Sequence, residues 1–262
     1  TPNGNFQRKL ARLCFEELGD AFHVFVLGQV CFPFHMALKF GIPLVFYGEN
    51  GEAEYAGDPE FEDKPYKPSK VWRDHYFKGS SLRDLIQYGL EHKDYLKEED
   101  FTEDDLKFYQ PPSEEEMKKL GIKGKHFFSY YKKWLPQENF YYAAEHTGFR
   151  PNPERNEGTY SKYASLDDKM DGLHYYLRYI KFGLGRCIDD AAHEIRDGHI
   201  TREEGIALLN KYEGEFPEKY FSDFLEYLGI DQGHFWDVVD EWRAEHLWVK
   251  EGNSWRLRNP AK

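Results

Sequence analysis

Six consecutive residues, Ile42 to Tyr47, form an apolar run that includes Pro43 and lies between Gly41 and Gly48. A run this short, bounded by glycines, suits a strand covered on both faces, the kind found in parallel sheets. It points to an α/β fold. The run ends in Gly48, Glu49, Asn50, Gly51 and Glu52. Two carboxylates and an amide are thus expected on a Gly-flexed turn beyond the strand's carboxyl end, where ligands bind in open α/β sheets. Such a turn suits Mg²⁺ or a hydroxyl-rich substrate, and a solvated acidic turn has the same composition.

Helical patterns flank this strand. Phe6, Leu10, Leu13, Cys14, Phe15 and Leu18 recur at helical spacing between Asn3 and Leu18, before Gly19 and Asp20. A second apolar stretch, Phe22 to Val30, runs through Pro33 into Met36 to Phe40 and reads as helix, kink, helix, stopped by Gly41. Asp58 to Lys70 is rich in Pro, Glu, Asp and Lys and reads as a loop. Short helices follow at Ser81 to Glu91 and Ser113 to Leu120, the latter opened by the capping pattern Ser113 to Glu116. His126 to Trp134 reads as an aromatic strand ended by Pro136, with a Tyr-rich helix to His146.

The Pro, Asn and Gly loop from Pro151 to Tyr160 marks a border, giving expected regions 1–160 and 161–262. Beyond it the pattern is almost wholly helical. The expected helices are Leu166 to Phe182, Arg186 to Asp197, Thr201 to Tyr212, Pro217 to Leu228 and Asp231 to Glu241, with Thr201 and Glu204 forming a capping box. Trp248 to Leu257 reads as a short hairpin or an extended tail.

Composition narrows the function classes. Aromatic residues make up 18% of the 262, too many for a disordered chain. The net charge of −12 disfavours nonspecific binding to nucleic acid or anionic lipid, so a phosphate-bearing substrate would need a local basic pocket. Cys14, Cys31 and Cys187 lie apart in apolar helical patterns and read as buried thiols. No apolar run approaches the ~20 residues of a membrane span, and no secretory signal opens the chain, so the expectation is a cytoplasmic protein. The chain starts at Thr1 and Pro2 and runs straight into a helical pattern, so it reads as a fragment.

Three further constellations bear on chemistry. Gly183 and Gly185 precede Arg186 at a helix start, a geometry that suits anions, with Lys181 on the same approach. Asp190, His193, Glu194 and Asp197 fall three to four residues apart on that helix, as a functional face or a salt-bridged one. Tyr130, Tyr131 and Trp134 flank Lys132 and Lys133, a combination that stacks a sugar or base and holds a phosphate, or that edges an aromatic core. His146 and His199 lack a second ligand at metal spacing, so no metal is expected beyond a nucleotide-associated Mg²⁺.

Taken together, TPNG, ELGDAFHVFVLGQVCFPFHMALKFGIPLVFYGENGE, FFSYYKKWLPQENFYYAAEHTGF and FGLGRCIDDAAHEIRDGHITREE resemble the N-acetyl sugar amidotransferases of surface-polysaccharide biosynthesis. The resemblance spans nearly the whole chain. It implies part of a PP-loop ATP pyrophosphatase fold, a mostly parallel sheet flanked by helices, followed by a largely α-helical C-terminal region. The activity it implies is an ATP-dependent amidation: ammonia replaces the activated carbonyl oxygen of an N-acetyl group on a nucleotide-linked sugar, with release of AMP and pyrophosphate. ATP and Mg²⁺ are the implied cofactors. A glutaminase subunit and a barrel subunit, similar to the pair that makes imidazole glycerol phosphate, are the implied partners.

The resemblance assigns Glu49, Asn50 and Glu52 to the Mg²⁺-nucleotide or acceptor region, and Lys181 and Arg186 to phosphate; Tyr130 and Lys132 are the candidate contacts to a ring and its phosphate. The SGGKDS-type loop that grips pyrophosphate in this superfamily is absent from the 262 residues, as is the family's Cys-rich segment. Two other classes stay open: a noncatalytic helical scaffold that docks the ammonia-delivering subunits, and an asparagine-synthetase-like enzyme acting on a carboxylate.

Overall fold

In a computed structural model that describes residues 2–55, 57–68, 71, 81–252 and 254–260, the chain divides into two compact units. The first is Thr1–Cys14 with His23–Lys133, and the second is Phe15–Phe22 with Trp134–Lys262. The division therefore falls at residues 133 and 134, and the loop 151–160 lies inside the second unit. The last two residues of the expected loop 58–70 lie outside the described residues.

The first unit is built on helices α1 (Gly4–Leu18, through Cys14) and α2 (His23–Phe40). Phe6, Leu10 and Leu13 of α1 are fully buried, and Phe6 stacks on Phe101 at 4.6 Å. Helix α2 is continuous through Pro33, so the expected two helices are one. It ends as Gly41 predicts: the Gly41 and Ile42 amides donate to Leu38 and Ala37, with Gly41 at φ 67°. By length and composition alone, α2 is long and apolar enough to cross a membrane, against the expectation that no run approaches that length. Here Val30, Cys31, Phe34 and Ala37 pack with Met117 and Ile122 instead.

Three short strands, β1 (Phe46–Tyr47), β2 (Tyr66–Pro68) and β3 (Gly124–Phe127), form a sheet in the order β1-β3-β2. β1 runs parallel to β3 and β2 runs antiparallel to it. The sheet is mixed and small, not the mostly parallel sheet expected. The run 42–47 is also not covered on both faces. Val45 and Tyr47 pack against the α2 core, whereas Ile42, Leu44 and Phe46 are exposed by 50%, 44% and 49%. The expected strand 126–134 stops at Phe127 and turns into a single 3-10 turn, Phe128–Tyr130. Helices α3 (Gly51–Glu54), α4 (Leu82–His92), α5 (Glu103–Leu106) and α6 (Glu114–Leu120) also belong to this unit, with a 3-10 turn at Glu98–Asp100. Ser81, Thr102 and Ser113 cap the last three with complete capping boxes.

The second unit is helical. It contains α7 (Pro136–His146), α8 (Asp171–Phe182), α9 (Arg186–Asp197), α10 (Arg202–Tyr212), α11 (Phe221–Leu228) and α12 (Gln232–Glu241). The helices expected to begin at Leu166 and Pro217 start later, at Asp171 and Phe221. α9 begins and ends where expected, and Thr201 caps α10 through the expected box with Glu204. Strands β4 (Trp248–Glu251) and β5 (Ser254–Leu257) make the terminal hairpin. Phe15, the first α1 residue of this unit, stacks on Phe235 at 5.5 Å and meets Phe224 edge-on at 5.7 Å, all three buried. Cys14, Cys31 and Cys187 are buried free thiols, as expected.

Candidate functional site

Because β1 and β3 are parallel, their carboxyl ends open onto the same edge, and the loops that leave them are neighbours. One carries Glu49, Asn50 and Glu52; the other carries Ser129, Tyr130 and Lys132. Two sequence signals 79 residues apart meet there, where Asn50 Nδ2 donates to Ser129 Oγ at 3.0 Å.

The two faces of the sheet differ. In register across the strands, Phe46, His126 and Tyr66 lie side by side, with ring centroids 5.8 Å and 5.1 Å apart. Tyr131 adds its edge to Phe46 at 5.8 Å and to Tyr130 at 5.1 Å. Tyr130 and Tyr131 are 52% and 60% exposed. This surface offers flat rings to a ligand. Within it the Nδ1 of His126 is buried and makes no hydrogen bond. Burial, followed by the charge of Lys123, holds the His126 imidazole below its usual pKa and favours the neutral ring.

The opposite face is charged and buried. Lys67 stands directly across from Lys125, and both are inside, at 1% and 5% exposure. Like charges across a strand pair repel, so they require compensating carboxylates. Glu52 provides one, 2.9 Å from Lys67 Nζ, and Glu54 is buried nearby on α3. Lys125 lies over the Tyr47 ring at 4.5 Å. Its burial lowers its pKa, while Glu49, Glu52 and Glu54 oppose the shift. Nothing in the sequence reading flagged these two lysines.

This charged floor shapes the acidic loop. Glu52 is engaged by Lys67 and by the amide of Asp58, which donates to Oε2 at 2.6 Å. Asn50 is 1% exposed, its backbone amide donates to the Glu54 carboxylate, and its side-chain oxygen caps α3 at Glu52 N, 3.2 Å away. Of the three acidic-loop candidates only Glu49 is exposed. Asn50 and Glu52 hold the loop from below. Among the described residues no three His, Cys, Asp or Glu side chains group to hold a metal.

The remaining candidates belong to the helical unit. At the start of α9 the backbone amides of Gly185 and Ile188 donate to the carboxylate of Glu213, which occupies the anion position that the Gly, Gly and Arg pattern implies. Arg186 bonds the Tyr175 hydroxyl at 2.6 Å and Asp190 at 3.2 Å. Lys181 donates to the Leu18 carbonyl and lies over the Trp242 ring at 4.7 Å. On α9, Asp190 accepts from Thr159 and His193 meets Arg196.

The chain thus joins a small mixed sheet, with a ring-lined carboxyl edge over buried charge, to a helical C-terminal unit. Residues 157–261, within that unit, match the family described as LPS biosynthesis protein WbpG-like, C-terminal domain. The match agrees with the resemblance drawn from the sequence. No curated protein matches the chain.

Proposed function

We propose that the protein is an ATP-dependent amidotransferase of lipopolysaccharide biosynthesis, cytoplasmic, which converts the N-acetyl group of a nucleotide-linked sugar to an acetamidino group with ammonia from partner glutaminase and barrel subunits. The observation that carries this reading is the shared carboxyl edge of β1 and β3, where the loop of Glu49 and the loop of Tyr130 are joined through Asn50 and Ser129. ATP would supply a good leaving group at the acetyl carbon. The residues of this chain bind and orient: Tyr130 and Tyr131 stack a ring, Lys132 holds a phosphate, and Glu49 meets the Mg²⁺ that accompanies it.

The 262 residues carry no SGGKDS-type loop, so no residue here is assigned to the ATP pyrophosphate and no step is derived through it. The test is incubation of the intact protein with ATP, Mg²⁺, ammonium and nucleoside-diphosphate N-acetyl sugars. Mass spectrometry should detect exchange of one oxygen for an imino nitrogen, together with AMP. Release of AMP without a changed sugar would refute the substrate; neither product would refute the reaction.

One observation favours docking of the ammonia-delivering subunits as a second function beside catalysis. Helix α7 has no buried residue, and its Tyr141 and Tyr142 are 60% and 62% exposed, as on a helix that docks a partner. Tyr141→Ala with Tyr142→Ala would then abolish glutamine-dependent turnover while sparing turnover with free ammonia.

A further inference from the structure

The amide of Asn50 is divided between two loops. A backbone N–H only donates, so the atom that faces Glu52 N at 3.2 Å is the side-chain oxygen, and the NH₂ group is left pointing across the sheet edge. There it donates to Ser129 Oγ at 3.0 Å and reaches the Glu62 carbonyl at 3.5 Å. Asn50 is 1% exposed and its backbone amide is held by Glu54, so burial keeps it from direct contact with a ligand. Ser129 sits in the middle of the 3-10 turn Phe128–Tyr130, closed by Tyr131 and Lys132 amides donating to the Phe128 carbonyl at 2.9 Å and 3.1 Å. The exposed rings of Tyr130 and Tyr131 begin one residue later.

From this geometry we propose that Asn50 and Ser129 form a clasp that fixes the pose of the aromatic loop, so that both are positioning residues for the ring of the ligand. The proposal rests on the ring-stacking part of the function given above. The Glu54 carboxylate and the Glu52 backbone amide hold Asn50, Asn50 holds Ser129, and Ser129 holds the turn from which Tyr130 and Tyr131 project. Removing the clasp frees the rings without removing them. The cost falls on ligand capture, not on the chemical step.

The experiment uses Ser129→Ala, which leaves the α3 cap of Asn50 intact, with Ser129→Thr as the conservative variant that keeps a hydroxyl. Fluorine NMR of the fluorotyrosine-labelled intact protein follows the Tyr130 and Tyr131 signals, assigned from their Phe variants. Ser129→Ala should shift or split both signals, and Ser129→Thr should restore them. In the amidation assay Ser129→Ala should raise KM for the nucleotide sugar roughly fivefold to tenfold, the worth of one hydrogen bond, with kcat within about twofold. Unchanged signals in Ser129→Ala overturn the clasp, as does a fall in kcat at constant KM. If the signals respond while the wild-type protein amidates no sugar, the clasp stands and the assigned reaction falls.

Discussion

His174 joins Asp20 across 2.9 Å, while the Asp20 carboxylate also accepts from the amide of Phe22. Burial alone would push the imidazole pKa down. The nearby Asp20, helped by Asp171 and opposed by Arg178, outweighs it and raises the value above the ordinary His range of ~6.5. A base whose folded pKa is raised gives stability that is complete below its unfolded pKa and is lost as pH climbs through the folded value. The melting temperature should therefore fall from neutral to mildly alkaline pH, and Asp20→Asn should flatten that slope while lowering the neutral value. Parallel curves for the two proteins would show that the pair does not govern the transition. At this same scale, Lys67 and Lys125 explain what the sequence conceals. A lone Lys reads as solvated, and only the pairing of β2 with β3 places the two opposite each other inside.

Among the elements, β3 depends on one glycine. Gly124 has φ 152°, and a Cβ there would lie 2.1 Å from the Lys67 carbonyl oxygen on β2. That oxygen is backbone and cannot rotate away, so Gly124→Ala must part the two strands. We expect a loss of at least ~2 kcal/mol in urea unfolding, with amide exchange accelerated at Phe127, which donates to the Pro65 carbonyl, and the Tyr130 loop displaced as in Ser129→Ala. Unchanged exchange at Phe127 would show that the strands adapt. The helices were legible because their signals are local: Ser113, Thr201 and Ser81 begin helices through bonds made within four residues. The apolar run 42–47 was misread because alternation hides inside it. Val45 and Tyr47 face α2 while Ile42, Leu44 and Phe46 do not, and what covers a second face is not written in the run itself. The helix start at Arg186 was ambiguous for a similar reason, since a carboxylate from 25 or more residues away satisfies the same amides as a ligand would. The acidic and aromatic loops were each read as sites, but their meeting depends on a parallel pairing that neither segment encodes.

At the scale of the whole chain, the helical unit takes a short segment from far upstream. Phe15 fills a place between Phe224 and Phe235, Glu16 receives His234 Nε2 at 3.0 Å, and Gly19 lies so close to Trp242 that a Cβ would stand 2.7 Å from its ring. Phe15→Ala should therefore cost about 3 to 5 kcal/mol, and hydrogen exchange should report the loss in α11 and α12, more than two hundred residues along the chain. Protection confined to change near α1 would contradict this. The segment Phe15–Phe22 also sets a rule for genetic exchange. A chimera that swaps residues 157–261 alone would receive a domain whose aromatic socket, histidine clamps and tryptophan seat were shaped for another protein's residues 15–22. Recombination that preserves folding would have to carry both pieces together, so the two stretches should be inherited as one unit although most of the chain lies between them.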